Sequence, residues 1–442
     1  MPIINVKGTH DVIGEEAALY STVESMMRTL AIQYAFSEVR PPVLEHSELF
    51  IRGVGQSSDV VRKEMYTFLD KGDRSLTLRP EFTAGIMRMI VQNKLYATND
   101  LPLKYFYLGP VFRYERPQLG RYRQFNQFGV ELVGGQSFYN DVEVIALAYD
   151  ILQNLRLNNV VIKINTLGDE ESRDNYRKAL KEFFADKIEG MCEDCKNRYQ
   201  LNPLRILDCK VPEDQEIVKG APKMSDYLSE ASKARFNEVL KLLDELEIPY
   251  EVDDSLVRGL DYYSETVFEF HYTSANGNNY GAIGAGGHYG HLLKEIEGPD
   301  LPGVGFSFGV ERIVSVLKDD DILNEEKINQ YIDFYVMPIG EENKNYAYQI
   351  ARRLRNLDFT VEICLDKAKV PAMFKKAEHK KAKFAIIIGE NEVKEGKLVI
   401  KNLTKQTQIE IKEEDLITKI YDIHDQIYDC DCCEDYLGCS EK

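Results

Sequence analysis

FRYERPQLGRYRQFNQFGVE, residues 112–131, is the stretch whose reading decides the fold. It sets four arginines (Arg113, Arg116, Arg121, Arg123) against two carboxylates, Glu115 and Glu131. An apolar, β-rich run leads in, KYFYLGPVF at 104–112, and another leads out, QFGVELVG at 127–134. The pattern predicts two antiparallel strands joined by a long basic loop that carries Pro117 and Gly120. A hairpin needs only about two to five loop residues. Surplus length dense in arginine points to an anionic ligand, because the guanidinium is planar, always charged and bidentate towards phosphate. Taken alone, the same residues also describe a solvated charged turn. The rest of the chain decides between the two.

Outward from this loop, TAGIMRMIVQN (83–93) reads as a helix. MYTFLDKGDRSLTLRPE (65–81) reads as a hairpin around Lys71-Gly72-Asp73. FSEVRPPVLEHSELF (36–50) predicts a strand stopped at Pro41-Pro42 and then a helix. Residues 15–33 have helical apolar spacing at Leu19, Val23, Met26, Met27 and Leu30. A further helix is expected over about 140–156. Residues 169–247 are charged, helical in pattern and poor in β-branched residues, which reads as an inserted helical segment. Strand patterns return in EVDDSLVRGLDYYSETVFEFHY (251–272), followed by the glycine-rich NGNNYGAIGAGGHYGHLL (276–293). GVGFSFGVERIVSVL (303–317) reads as a strand or loop leading into a helix. From about 326 the rhythm changes to βαβαβ, then a hairpin and a last helix, which implies a small α/β domain. The class is therefore α+β: an antiparallel sheet flanked by helices, a helical insertion, and a C-terminal α/β domain.

A chain of 442 residues is long for one core and suggests two or three domains. The net charge of −18 argues against broad, non-specific nucleic-acid binding, but it leaves room for local basic sites. Residues 112–123 carry four arginines and one glutamate, and residues 374–383 carry five lysines and one glutamate. No run of about 18 apolar residues occurs, so no membrane-spanning helix is expected. The opening residues lack the basic flank and apolar core of a signal peptide, and a cytoplasmic protein is expected. Among eight cysteines, Cys192 and Cys195 have metal-ligand spacing, with Cys209 the nearest third thiol. Tetrahedral sites want four ligands, and without a second pair no metal is expected there. The tail DCDCCEDYLGCSEK (429–442), with Cys430, Cys432, Cys433 and Cys439, reads as disordered, with soft-metal or redox chemistry the other options.

GAIGAGGHYG (281–290) is not a dinucleotide fingerprint, since its glycines do not open a helix after a strand, and no phosphate-loop pattern occurs. Any phosphate must then be held by arginine side chains. Arg79, Arg258 and Arg312 lie on separate predicted elements and can converge with the basic loop on one triphosphate. Glu81, Gln127, Glu131, Tyr262 and Tyr263 form a second group, suited to a small cationic or amide-rich ligand.

TLRPEFTAG (77–85), residues 112–131, LVRGLDYYSETVFEF (256–270) and GVGFSFGVERI (303–313) strongly resemble the motifs of histidyl-tRNA synthetases. The resemblance runs from the first residues to about 425. It implies a class II synthetase-like catalytic domain over 1–325, an anticodon-binding-like α/β domain over 326–425, and a disordered Cys-rich tail at 426–442. It also implies a homodimer built around residues 36–50, ATP carried with Mg²⁺ as substrate, and L-histidine and tRNA(His) as the other substrates. By resemblance Arg113 and Arg258 are catalytic and hold the α-phosphate and the histidine carboxylate. Glu81, Phe82, Thr83, Gln127, Glu131, Tyr262 and Tyr263 surround histidine. Glu115, Arg121, Phe125 and Arg312 join Arg113 on ATP, while Arg116 and Gln118 face the tRNA acceptor end.

Two departures stand against the family pattern. Phe82 replaces a glycine, and GGHYGHLL puts His288, Gly290 and His291 where the family has Arg, Asp and Gly. They leave open a second reading, a catalytically altered paralogue acting as a histidine-binding regulatory protein.

Overall fold

The structure is a computed structural model that describes residues 3–55, 58–97, 99–116, 120–257, 262–322 and 332–425. The chain divides into two compact units, Met1–Ile328 and Asn329–Lys442.

The first unit is organised by an eight-stranded sheet in the order β1-β5-β6-β11-β10-β9-β7-β8. Its centre is antiparallel: β5 (Leu103–Phe112), β6 (Gln124–Val133), β11 (Gly303–Gly309), β10 (Asn279–Tyr289), β9 (Tyr263–Thr273) and β7 (Val160–Thr166). The two edge strands, β1 (Ser37–Glu38) and β8 (Tyr250–Val252), pair in parallel. Alternation along β6 sets the layers, because successive side chains leave a strand on opposite faces. Phe128, Val130 and Leu132 join the main core with α1 (Glu15–Gln33), α4 (Phe138–Asn154) and α10 (Val310–Asp319). Phe125, Gln127, Gly129 and Glu131 take the other face, which stays open as a cleft.

A smaller sheet, β2-β4-β3, carries the expected hairpin: β3 (Tyr66–Leu69) pairs with β4 (Ser75–Leu78), which pairs with β2 (Leu44–His46). Helices α2 (Ser47–Gly53), α3 (Thr83–Gln92) and the short α9 (Leu292–Glu295), which packs on both, complete this region. The inserted segment forms α5 (Glu170–Phe184), α6 (Glu193–Leu201), α7 (Pro212–Val218) and α8 (Glu230–Glu245). It has its own apolar cluster, including Tyr176, Leu180, Phe184, Cys195 and Ile206. Asp169 and Ser229 start α5 and α8 by accepting the Ser172 and Ser232 amides, as good caps do.

The second unit is a five-stranded sheet built from β12 (Phe334–Pro338), β13 (Val361–Ile363), β14 (Phe384–Ile388), β15 (Lys397–Asn402) and β16 (Gln408–Lys412), in the order β13-β12-β14-β15-β16, parallel at β13-β12-β14 and antiparallel beyond. Helices Lys344–Arg355, Val370–His379 and Leu416–Asp425 accompany it, and a short helix, Glu390–Glu395, lies between β14 and β15 where no element was expected. The lysine-rich stretch 374–383 is partly neutralised within this unit. Lys376 meets Asp366 at 2.9 Å, Lys380 meets Glu362 at 2.5 Å, and Lys383 meets Asp333 at 3.3 Å.

The glycine-rich stretch becomes an interior strand, β10, because its partners need the room. A Cβ on Gly286 would lie 2.3 Å from the Gly305 carbonyl and 2.5 Å from the Phe268 ring. Arg79, expected among the phosphate ligands, is instead a buried strut. It donates to the Pro110 carbonyl at 2.9 Å and the Pro41 carbonyl at 2.7 Å, and lies 3.7 Å over the Phe82 ring. Among the described residues no helix is long and apolar enough to cross a membrane.

Candidate active site

The open face of β6, β10 and β11 floors a cleft of about 410 Å³. Of the residues singled out above, Glu81, Thr83, Arg113, Glu115, Arg121, Phe125, Gln127, Glu131, Tyr262, Tyr263 and Arg312 line it. Phe82 is not among the lining residues. Its ring is buried and stacks on Tyr107, with centroids 4.3 Å apart, so it touches the cleft only through that tyrosine. Arg116 is exposed on the loop. Arg258 and Gln118 lie outside the described residues.

One end of the cleft is lined by carboxyls and hydroxyls. Glu81 accepts the Thr83 amide at 2.6 Å and the Ala84 amide at 3.0 Å, closing the first turn of α3. The Thr83 hydroxyl donates to Glu131 Oε1 at 2.6 Å, and the Tyr289 hydroxyl donates to Oε2 at 2.6 Å. Gly305 makes this possible, since a Cβ there would sit 2.3 Å from Glu131 Oε2. Burial pushes Glu131 up to about 8 even though hydroxyl bonds from Thr83, Tyr289 and Tyr107 favour its charged form. Burial likewise raises Glu81. Gln127 Nε2 donates to Ser307 Oγ at 2.9 Å, while its Oε1 is buried with no partner. A buried acceptor without a donor is costly, so the site is shaped to receive one from a ligand.

The other end is cationic. Arg113 and Arg121 each lie 3.8 Å from Glu115, and Glu64 on the same cleft wall is close enough to feel both. Arg113 is aimed by its bond to the Pro80 carbonyl at 2.8 Å and lies 5.5 Å from the Phe125 ring centre. Arg312 is anchored to the Ala282 carbonyl. Its burial, then the nearby Arg121, makes its charge harder to hold. Three guanidiniums converge here with ion pairs no shorter than 3.8 Å to Glu115, so their donors can turn to the oxygens of a phosphate.

Several lining residues escaped the sequence reading. Tyr107 and Tyr289 sit in runs that look like ordinary strand core, and only the register reveals them. Ser307 is a small polar residue among glycines and phenylalanines. Glu311 begins α10 and accepts the Asn126 amide at 2.8 and 2.9 Å, and burial pushes it up to about 7. The departures at His288 and His291 each meet a carboxylate: His288 Nδ1 lies 3.1 Å from Asp141 Oδ1, and His291 Nδ1 lies 2.7 Å from Asp300 Oδ1.

An antiparallel sheet floor with a carboxyl-lined pocket at one end and clustered arginines at the other defines the catalytic core of a class II aminoacyl-tRNA synthetase. The comparisons narrow this. Residues 8–313 match the family described as histidyl-tRNA synthetase, and residues 333–423 match an anticodon binding domain. The histidine–tRNA ligase of Bacillus subtilis (strain 168) is 44% identical over 414 residues, 93% of this chain and 96% of that protein. The enzyme of the same name from Thermosipho melanesiensis is 43% identical over 412 residues, 93% and 97% of the two chains. Among solved structures, apo histidyl-tRNA synthetase of S. aureus superposes with a TM-score of 0.81 at 34% identity, covering 94% of this chain and 99% of that one. The chain belongs to the histidyl-tRNA synthetase family.

Proposed function

We infer that the protein attaches L-histidine to tRNA(His) at the expense of ATP, through a histidyl-adenylate. The observation that carries this reading is the Gln127 Oε1 left without a partner among the described residues, in the cleft that Glu131 and the arginines also line. It is an acceptor where an α-ammonium would lie when an amino acid spans the two ends. Glu81 supports the same ammonium. Glu131 and Tyr263 address the imidazole nitrogens, which need a donor–acceptor pair or two acceptors. A pocket of buried polar groups rejects apolar analogues strongly, because they would leave those groups unpaired.

In the first step a histidine carboxylate oxygen attacks the α-phosphorus, and the bond to the bridging oxygen of pyrophosphate breaks. Arg113 and Arg258 stabilise the charge that grows on the α-phosphate oxygens. Arg121 and Arg312 hold the β- and γ-phosphates, and Phe125 stacks on adenine. Magnesium arrives as part of the MgATP substrate. Glu115 and Glu311 are the carboxylates beside the arginines that suit a hard cation. Bound there, the ion neutralises phosphate charge. In the second step the terminal ribose hydroxyl of the tRNA takes the histidyl group and AMP leaves. Arg116 and Gln118 face the acceptor end, residues 169–247 lie over the acceptor stem, and residues 326–425 bind the anticodon end.

The protein acts as a homodimer through residues 36–50 and the small sheet. Leu44, Phe68 and Leu69 are exposed apolar residues on that sheet, the kind of patch that marks an interface. No observation favours the regulatory-protein reading. A charging assay separates the two: purified protein transfers labelled histidine to tRNA(His) when ATP is present. Histidine binding without transfer would sink the synthetase reading and restore the regulatory one.

A further inference from the structure

The helical insertion holds a cluster that adenylation does not use. Cys192, Cys195, Cys209 and Asp214 place their ligand atoms all within 4.8 Å of one another. Cys195, Cys209 and Asp214 are buried, and Cys192 is partly so. The spacing is C-x₂-C-x₁₃-C-x₄-D, in which the first pair is visible in sequence and the other two ligands are brought in by the fold. Cys192 Sγ lies 3.9 Å from Cys209 Sγ, and Cys209 Sγ lies 3.2 Å from Asp214 Oδ2. A tetrahedral zinc ion with Zn–S bonds of about 2.3 Å holds its sulfurs about 3.8 Å apart. The carboxylate is also oriented from behind, as metal-bound carboxylates usually are. The Cys192 amide donates to both of its oxygens, at 3.3 and 3.1 Å.

We propose that Cys192, Cys195, Cys209 and Asp214 bind one zinc ion that staples the helical insertion. Binding displaces the three thiol protons to solvent and gives a four-ligand structural site with no open position. The physical need is clear. A carboxyl buried among three thiols is costly unless something pairs with its charge, and a short segment gains stability from a metal staple added to its apolar cluster.

The site reaches the cleft. Between Cys195 and Cys209 the chain forms the rest of α6 and the turn Pro203–Asp208, which carry Arg198 and Arg205. Both guanidiniums reach Asp59 Oδ2 at 3.2 Å, and Asp59, Arg205 and Asp208 line the cleft wall. The zinc ion therefore fixes the elements that hold this wall in place.

The test uses the full chain with Cys430, Cys432, Cys433 and Cys439 changed to serine, so that the tail contributes no ligands. Purified without added metal or chelator, this protein carries stoichiometric zinc by mass spectrometry. Cobalt exchanged into it gives the charge-transfer absorption of thiolate coordination. Cys192→Ser and Asp214→Asn each weaken zinc affinity by about tenfold or more, and chelation lowers the unfolding midpoint of the parent but not of Cys192→Ser. If the variants fail to fold, the parent's zinc content and cobalt spectrum decide alone. Sub-stoichiometric zinc with no thiolate band after cobalt is added to reduced protein overturns the proposal. So does a Cys192–Cys209 disulfide in the non-reduced peptide map.

Discussion

The two ends of the cleft are built on opposite principles. At the carboxyl end, most polar groups are already engaged. Glu131 has a donor on each oxygen, Glu81 sits on the first amides of α3, and among the described residues Gln127 Oε1 is left without a partner. At the arginine end the charges are held loosely, with ion pairs of 3.8 Å and anchors to backbone carbonyls. A rigid pocket with one missing donor selects a ligand by shape and hydrogen bonding. A cluster of loosely paired arginines stabilises charge where it develops. Selection and rate enhancement should therefore separate by mutation.

The largest effect is expected from Arg113→Ala, which should lower kcat for adenylation by about 10²–10³-fold while the fold is retained. A change confined to KM would break the comparison. Next, Gln127→Ala should raise the KM for histidine by about 10–100-fold, the cost of one hydrogen bond to a charged group. The KM for ATP should move by less than about threefold. Equal effects on both substrates would place Gln127 outside the amino-acid pocket.

A third consequence is a pH slope in stability. Native Glu131 keeps its proton up to about pH 8 and Glu311 up to about pH 7, whereas the unfolded chain loses both near 4.5. The native state thus holds more protons across this window, and stability falls as pH rises from about 4.5 to about 8. A tenfold difference in proton affinity between folded and unfolded chain is worth about 1.4 kcal/mol, so the two carboxyls together account for a fall on the order of several kcal/mol. Urea midpoints measured at intervals between pH 5 and 8 should show Glu131→Gln flat above about pH 7, where wild type still declines. Parallel curves would mean that Glu131 titrates normally. The smallest effect is expected from Phe82→Leu. It should cost about 1–3 kcal/mol of stability from lost core packing and shift the KM for histidine only a few-fold, through Tyr107.

Much of this was legible in the chain. The two strands around residues 113–123 and the inserted helices follow from periodicity and turn residues. So does the α/β rhythm of the second unit. The glycine-rich strand did not follow, because its conformation is dictated by Phe268 and Phe308 on neighbouring strands, which lie far away in sequence. Arg79 looked like a phosphate ligand because a local motif cannot tell an arginine facing a cleft from one bonded to Pro41 and Pro110. Tyr107, Tyr289 and Ser307 joined the site through cross-strand register alone. Cys209 and Asp214 joined Cys195 because a turn doubled the chain back.

Exchange of labelled pyrophosphate into ATP tests most directly whether one cleft brings histidine and ATP together for adenylate formation. The exchange should require L-histidine, disappear in folded Arg258→Ala protein, and return in Gln127→Ala protein only at raised histidine. Exchange without amino-acid preference, or no exchange at all, would contradict this reading of the cleft.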